Sequence, residues 1–216
     1  AGMLPELLRQ IEIVEEALVD MGVTTWARVE WEADDALGAA AAVAAADDRV
    51  EQVLIVTPDK DLGQCVEGRR VVQYDRRKQE IVDHDAVVAK FGIPPESIPD
   101  YLALVGDTAD GFPGLPGWGA KSSSAVLARY GHLEDIPTEA SLWEVPGLRG
   151  AAKLSATLQA GMEEALLFRI IATVDREVPV GTVDDWRWIG PTDRFAATCE
   201  RLGVPGLAER ASRLSP

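Results

Sequence analysis

Between Gly111 and Lys121 the chain reads Gly111-Phe-Pro-Gly114-Leu-Pro-Gly117-Trp-Gly119-Ala-Lys121, and no regular helix or strand can run through it. The prolines remove backbone donors and restrict φ, while the glycines open conformations that a side chain forbids. A tight turn is therefore required, and helical patterns flank it. Pro99 to Val105 precedes it, stopped by Gly106, and Lys121 to Tyr130 follows. Gly114, Gly117 and Gly119 permit positive φ and would let a backbone approach a ligand with no Cβ in the way. The next helix would point unpaired N–H groups outward, with Lys121 and Ser122 adding a cation and a hydroxyl. Such a turn can hold a phosphate backbone without reading bases. A plain tight connection between helices is the alternative.

Around this turn the chain changes character. Apolar positions Leu7, Leu8, Ile11, Val14, Leu18 and Met21 have helical spacing, ended by Gly22. Val23 to Val29 reads as a short strand and Asp34 to Ala46 as an alanine-rich helix. Val53-Leu54-Ile55-Val56 is a β-branched run of the kind found in buried parallel strands. Arg70 to Tyr74 and Glu80 to Val82 predict two further strands around a polar Asp75-Arg76-Arg77-Lys78 turn. Asp83 caps a helix to about Lys90. From Pro94 onward the pattern is wholly helical, with two stretches between Leu148 and Ile171 broken near Gly161 and a helical tail over 193–214. Neither internal repeats nor low-complexity tracts are visible. The expected architecture is α/β, a partial parallel-sheet core over 1–105, followed by an all-helical subdomain over 106–216.

The bulk properties narrow the function. With 216 residues the chain can bury a real core, and 47% hydrophobic with 26% charged residues is ordinary for a globular protein. No apolar run approaches the roughly 20 residues of a membrane span, and no secretory signal pattern opens the chain. Cys65 and Cys199 have no metal-ligand spacing and read as reduced core thiols, which makes the cytoplasm the expected location. Thirty-six acidic residues against 21 basic ones give a net charge of −15. Any contact with a polyanion must therefore be local.

Three acidic patches sit at the ends of apolar segments: Glu32-Ala-Asp34-Asp35, Thr57-Pro-Asp59-Lys-Asp61 and Gly106-Asp107-Thr-Ala-Asp110. Asp59 and Asp61 follow the Val53–Val56 strand at i, i+2, so both project the same way if strand geometry persists. Ligand sites in open α/β sheets lie at that end of the strands. Asp107 and Asp110, at i, i+3, share one face of a helical turn. Each patch alone is accounted for by helix capping. Together with the turn, they suit hard divalent cations, which need several oxygen ligands from distant parts of a chain. His84 and His132 read as surface or capping residues. No nucleophile elbow or Walker phosphate loop is present.

With those residues in view, the chain resembles the flap endonuclease/5′–3′ exonuclease family, which in bacteria includes the N-terminal nuclease domain of DNA polymerase I. Glu32-Ala-Asp34-Asp35, Thr57-Pro-Asp59-Lys-Asp61-Leu62 and Gly106-Asp107 through Lys121 occur in the family's order, and the similarity covers nearly the whole chain. The resemblance implies a PIN-like 5′ nuclease core with a helix–hairpin–helix module. It implies two Mg²⁺ or Mn²⁺ ions held by Glu32, Asp34, Asp35, Asp59, Asp61, Asp107 and Asp110. Of these, Asp34, Asp35, Asp59, Asp61 and Asp107 would be catalytic. Gly114, Gly117, Trp118, Gly119, Lys121 and Ser122 would hold DNA, with a potassium ion on the hairpin carbonyls. Gly111 replaces the family's asparagine, and Ser122-Ser123 its Thr-Ala.

By the family pattern, a strand bearing a metal-binding Asp, a second such Asp and a basic helical arch precede the point where residue 1 falls. The resemblance thus implies a structure-selective 5′ nuclease acting on 5′-ended, flap or nicked DNA in replication or repair. The short chain is expected to be slower than a longer parent, in which a polymerase domain could follow. The competing readings are a non-catalytic, sequence-independent DNA-binding module and an acidic α/β protein that binds a divalent ion for stability alone. Seven carboxylates favour the first, because a DNA clamp needs no self-repelling acidic cluster.

Overall fold

A computed structural model describes residues 5–27 and 30–215. In chain order the elements are α1 (Pro5–Asp20), α2 (Ala33–Ala45), β1 (Val53–Ile55), β2 (Val71–Asp75), β3 (Glu80–Val82), α3 (His84–Phe91), α4 (Ile98–Val105), α5 (Ala120–Tyr130), α6 (Ala151–Ala160), α7 (Met162–Ala172), α8 (Phe195–Arg201) and α9 (Gly206–Ser212). Short 3₁₀ turns at Asp61–Cys65, Pro95–Ser97, Leu133–Asp135 and Ala140–Leu142 join them. Residues 23–27 form no strand, and positions 28–29 of that expected strand lie outside the described residues. The described chain falls into two compact units, Asp34–Val178 and Ala1–Ala33 with Pro179–Pro216.

The larger unit begins with the sheet, ordered β1-β2-β3. β1 pairs parallel to β2, with Val53 opposite Val71 and Ile55 opposite Gln73. β3 returns antiparallel, with Gln73 opposite Val82 and Asp75 opposite Glu80, so the sheet is mixed. The reversal follows from the polar turn. Asp75 Oδ1 accepts the N–H of Arg77 at 2.9 Å and of Lys78 at 3.2 Å, a local side-chain turn that brings the strand straight back. Ile55, Leu62, Cys65, Val71 and Val174 pack with α2, whose small residues allow close approach. A Cβ at Gly38 would lie 2.3 Å from the Val174 side chain. Cys65 is a free, buried thiol, and burial pushes its pKa up.

The helical half packs around α4. Ile98, Leu102 and Leu104 are almost fully buried, against Val126 and Leu127 of α5, Leu154 and Leu158 of α6, and Phe168 of α7. One polar network crosses this core. Asp100 is 2% exposed and accepts from Arg169 Nη1 at 3.0 Å and the Leu133 N–H at 3.2 Å, with His132 Nδ1 at 2.8 Å. Arg169 also grips Glu134 with both terminal nitrogens, at 2.6 and 2.5 Å. His132, read from sequence as a capping or surface residue, is half-exposed and tied to this carboxylate.

The smaller unit joins the first segment to the last. Asp20 is buried and accepts Thr198 Oγ1 at 2.7 Å and Arg194 Nε at 2.9 Å. Trp26 and Trp186 meet edge to face, and both indole N–H groups donate to the Val180 carbonyl, at 3.1 and 2.7 Å. Cys199 is free and buried with Phe195 and Ala211. These compact units are drawn differently from a division at residue 105. Among the described residues no helix is long and apolar enough to cross a membrane.

Asp100→Ala should lower the unfolding free energy by about 3 kcal/mol, the low end for a broken buried ion pair because Arg169 keeps Glu134. Urea unfolding checks it. The bond to Asp100 raises the His132 pKa above 6.5. Its contribution is therefore complete below pH 6.5 and lost as pH rises through the folded-state value. His132→Gln should accordingly differ from wild type in melting temperature more at pH 6 than at pH 9.

Candidate metal centre and nucleic-acid interface

β1 ends at Ile55, and the chain turns so that Asp61 opens a buried 3₁₀ turn at the carboxyl end of a parallel strand. Strand geometry does not persist to Asp59. Asp61 is 9% exposed, whereas Asp59 faces solvent. Two glutamines hold this turn in place. Gln73 Nε2 donates to the Asp59 carbonyl at 2.6 Å from β2. Gln64 Nε2 donates to the Asp61 and Ala172 carbonyls at 2.8 and 2.9 Å, while its Oε1 accepts the Val174 N–H at 3.0 Å.

The second arm of the site starts where α4 stops. Gly106 caps the helix with φ +89°, and Asp107 and Phe112 exchange backbone hydrogen bonds at 2.9 and 3.0 Å. Asp107 and Asp110 therefore sit on a closed loop rather than on one face of a helical turn. Gly114 returns against the helix end, where a Cβ would lie 2.4 Å from the Gly106 nitrogen. No residue with a side chain fits there.

These two arms bring Asp61, Asp107 and Asp110 together, with one oxygen from each within 4.8 Å of the others. Asp61 Oδ1 is buried with no hydrogen-bond partner, a state that carries a full desolvation cost. Burial, the bond to Asp110 and the charges of Asp59 and Asp110 push the Asp61 carboxyl up to about 7, against the opposing charge of Lys60. Burial would raise Asp107 too, but the Lys60 ammonium bound to its Oδ2 and the N–H of Ala109 on its Oδ1 bring it below the usual range. Lys60 itself is raised: burial opposes its charge, and Asp107, Asp61 and Asp59 outweigh that.

The cluster fits a hard divalent cation. Three carboxylates with oxygens this close suit metal–oxygen bonds of about 2.0–2.6 Å, and Asp61 Oδ1, without a hydrogen bond, supplies a waiting ligand. Lys60 is a member of the site that the acidic motif alone does not single out; a lysine between two aspartates is its signal in the sequence. Asp34 and Asp35 lie in the first turn of α2, outside the cluster of three. Asp35 Oδ1 accepts the Asp175 N–H at 2.8 Å. Glu32 belongs to the smaller compact unit.

In the glycine turn, Gly114 and Gly117 have φ +70° and +86°. Gly119 does not use a positive φ. It is extended, at φ −150°, and is the N-cap of α5. The Ser122 hydroxyl accepts the Gly119 N–H at 3.1 Å and donates to its carbonyl at 3.0 Å. Trp118 is a core residue, 7% exposed and 6.1 Å from the Trp143 ring, because the turn folds its indole inward. It supports the turn from below, while Lys121 is exposed.

In the folded chain Asp61 titrates near 7 against 3.8 for a free aspartate. As pH rises the unfolded state ionises first, so Asp61 progressively costs stability between those values and the full cost stands above pH 7. Asp61→Asn should raise the melting temperature of the metal-free protein at pH 8, by about 1–3 kcal/mol in free energy. The two should converge near pH 4. Adding Mg²⁺ or Mn²⁺ should raise the wild-type melting temperature and leave Asp61→Asn unmoved. Calorimetric scans across pH, with and without metal, check both.

The comparisons with known proteins follow this geometry. The 5′–3′ exonuclease N-terminal resolvase-like domain matches residues 1–92, and the 5′–3′ exonuclease C-terminal SAM fold matches residues 93–194. DNA polymerase I of Pseudomonas aeruginosa is 36% identical over 196 residues, 89% of this chain and 21% of that protein. DNA polymerase I of Mycobacterium tuberculosis is 32% identical over 192 residues, 88% of this chain and 20% of that protein. A 5′–3′ exonuclease of Buchnera aphidicola is 29% identical over 178 residues, 82% of this chain and 61% of it. The chain thus spans about a fifth of the polymerases it matches. Among solved structures, the T5 D15 protein co-crystallised with metal ions has a TM-score of 0.63 at 19% identity, covering 95% of this chain and 73% of that one. The catalytic core of Rad2 in complex with DNA substrate has a TM-score of 0.58 at 18% identity, covering 98% and 70%. These likenesses show the fold. Two adjoining family matches that together run from residue 1 to residue 194 place the chain in the 5′–3′ exonuclease family.

Proposed function

We propose that this chain carries a metal-dependent 5′–3′ exonuclease or structure-selective flap endonuclease activity on DNA, in replication or repair in the cytoplasm. The observation that carries this reading is the convergence of Asp61, Asp107 and Asp110 around a buried oxygen that has no hydrogen bond. The polymerase relatives suggest a polymerase domain in a longer parent. In this reading residues up to 105 supply most of the chemistry, and residues from 106 supply Asp107, Asp110 and the DNA-holding helices.

Asp61, Asp107 and Asp110 would hold one Mg²⁺ or Mn²⁺. Asp59, Asp34 and Asp35 are proposed for a second, a role the motif extends to Glu32. Bound there, divalent ions would supply an activated water and a stabilised leaving oxygen for in-line displacement at phosphorus. The chain's own residues do the positioning. Gln64 and Gln73 hold the Asp61 turn rigid, and the Asp107–Phe112 bridge holds the second arm. Lys60 tempers the repulsion among the carboxylates. The glycine turn with Lys121 would hold the backbone of a 5′-ended, flap or nicked duplex without reading its sequence. The carbonyls of that turn are the proposed seat of a potassium ion.

A 5′-labelled flap or nicked duplex, incubated with Mg²⁺ or Mn²⁺ and with EDTA as control, tests this reading. Metal-dependent cleavage near the 5′ end is expected, with Asp107→Ala or Asp110→Ala slower by about 100-fold or more. DNA binding in EDTA should survive both substitutions. Binding without cleavage in any metal would leave a non-catalytic DNA-binding module instead.

A further inference from the structure

A five-residue string, Pro113-Gly114-Leu115-Pro116-Gly117, recurs with one change as Pro146-Gly147-Leu148-Arg149-Gly150. Each copy contains a Pro-Gly turn: Pro116-Gly117, closed by the Trp118 N–H on the Leu115 carbonyl at 3.1 Å, and Pro146-Gly147, closed by the Leu148 N–H on the Val145 carbonyl at 3.3 Å. Gly114 and Gly117 have φ +70° and +86°; Gly147 and Gly150 have φ +76° and +73°. Each copy leads into a helix, α5 from Ala120 and α6 from Ala151, and in each the leucine packs into the same core. The indoles of Trp118 and Trp143 meet beneath them, 6.1 Å apart.

The two turns share one groove of about 560 Å³. Its lining includes Lys121 and Arg149 and not one carboxylate, in a chain where acids outnumber bases 36 to 21. Neither cation is held in an ion pair among the described residues, whereas Arg169 and Arg176, which line a cavity of about 750 Å³, are both bound to glutamates. Gly117, Gly147 and Gly150 have nothing within 4 Å of where a Cβ would stand. Packing does not require glycine at these three positions, and Gly117 and Gly147 line the groove.

Resting on the DNA-holding role proposed for residues 111–122, we propose that the 146–150 turn is a second backbone clamp, and that the groove takes phosphates of one duplex strand between Lys121 and Arg149. The occupant follows from charge and shape. A phosphodiester backbone is an anion with repeated charges, so two cations on two like turns can each neutralise one. The first turn of α5, whose Ala120, Lys121 and Ser122 line the groove, brings helix-start N–H groups suited to the remaining phosphate oxygens. Cations engaged with phosphates carry no base information, so binding through this groove is sequence-independent.

Fluorescence anisotropy of a labelled nicked duplex with the 216-residue protein, in EDTA and across a KCl series, tests this. Lys121→Ala and Arg149→Ala should each lower the slope of log K against log salt by about 0.9, and the double variant by about twice that. Lys90→Ala, a charge removed from α3 outside the groove, should leave the slope unchanged. Unfolding curves establish that each variant is folded, which is expected because all three side chains project from the surface. A wild-type slope in Arg149→Ala beside a reduced slope in Lys121→Ala overturns the second clamp and leaves the single-turn reading standing. An equal loss in Lys90→Ala overturns it in favour of general charge. No loss in either groove variant overturns the DNA-holding role of both turns.

Discussion

The close approach of two glycines at the end of α4 is the contact on which the site depends. Gly114 lies against Gly106 so tightly that a methyl group has no room, and the Leu115 N–H donates to the Leu104 carbonyl at 2.9 Å. That contact ends the helix, closes the loop carrying Asp107 and Asp110, and launches the turn that leads into α5. One backbone crossing thereby ties acidic chemistry to the surface proposed to hold nucleic acid. A side chain at either glycine would separate them.

The acidic centre is held against its own electrostatics. Asp61, Asp107 and Asp110 repel one another, and Asp61 is buried as well. The fold supplies rigid support from Gln64 and Gln73 and one internal cation, Lys60. It leaves Asp61 Oδ1 without a hydrogen bond, with the Lys60 ammonium 4.0 Å away. Such uncompensated strain tends to gather at functional sites, where stability is traded for chemistry. Elsewhere the same core does the opposite. Asp100 is buried more deeply still but fully paired with Arg169, His132 and the Leu133 N–H, and so contributes to holding α4, α7 and the 133–135 turn together.

A net charge of −15 is compatible with a polyanion as partner because the charge is unevenly placed. Seven of the 36 acidic residues lie in the patches that would meet cations, and the groove beside α5 and α6 presents two cations with no carboxylate in its lining. Diffuse attraction is weak in such a chain. Binding then relies on backbone N–H groups and a few well-placed cations, which orient a strand without reading it.

Local patterns in the sequence determined the elements. The Gly-Pro run dictates a turn because φ and donor restrictions act on single residues, and Val53–Val56, the Asp75–Lys78 reversal, the Asp83 cap and Gly106 stop likewise act within a few positions. The acidic motifs and the family they indicate were legible for the same reason. What only the tertiary structure decided is which groups meet. Asp61 turns inward while Asp59, two residues away, faces water, because a 3₁₀ turn pinned by Gln64 replaces the strand. Trp118 goes to the core because a tryptophan 25 residues further on waits there (143 − 118). The first segment pairs with the last through Asp20 and Thr198. These outcomes depend on contacts between residues far apart in the chain, and a short-range pattern carries no record of which distant surface a side chain will find.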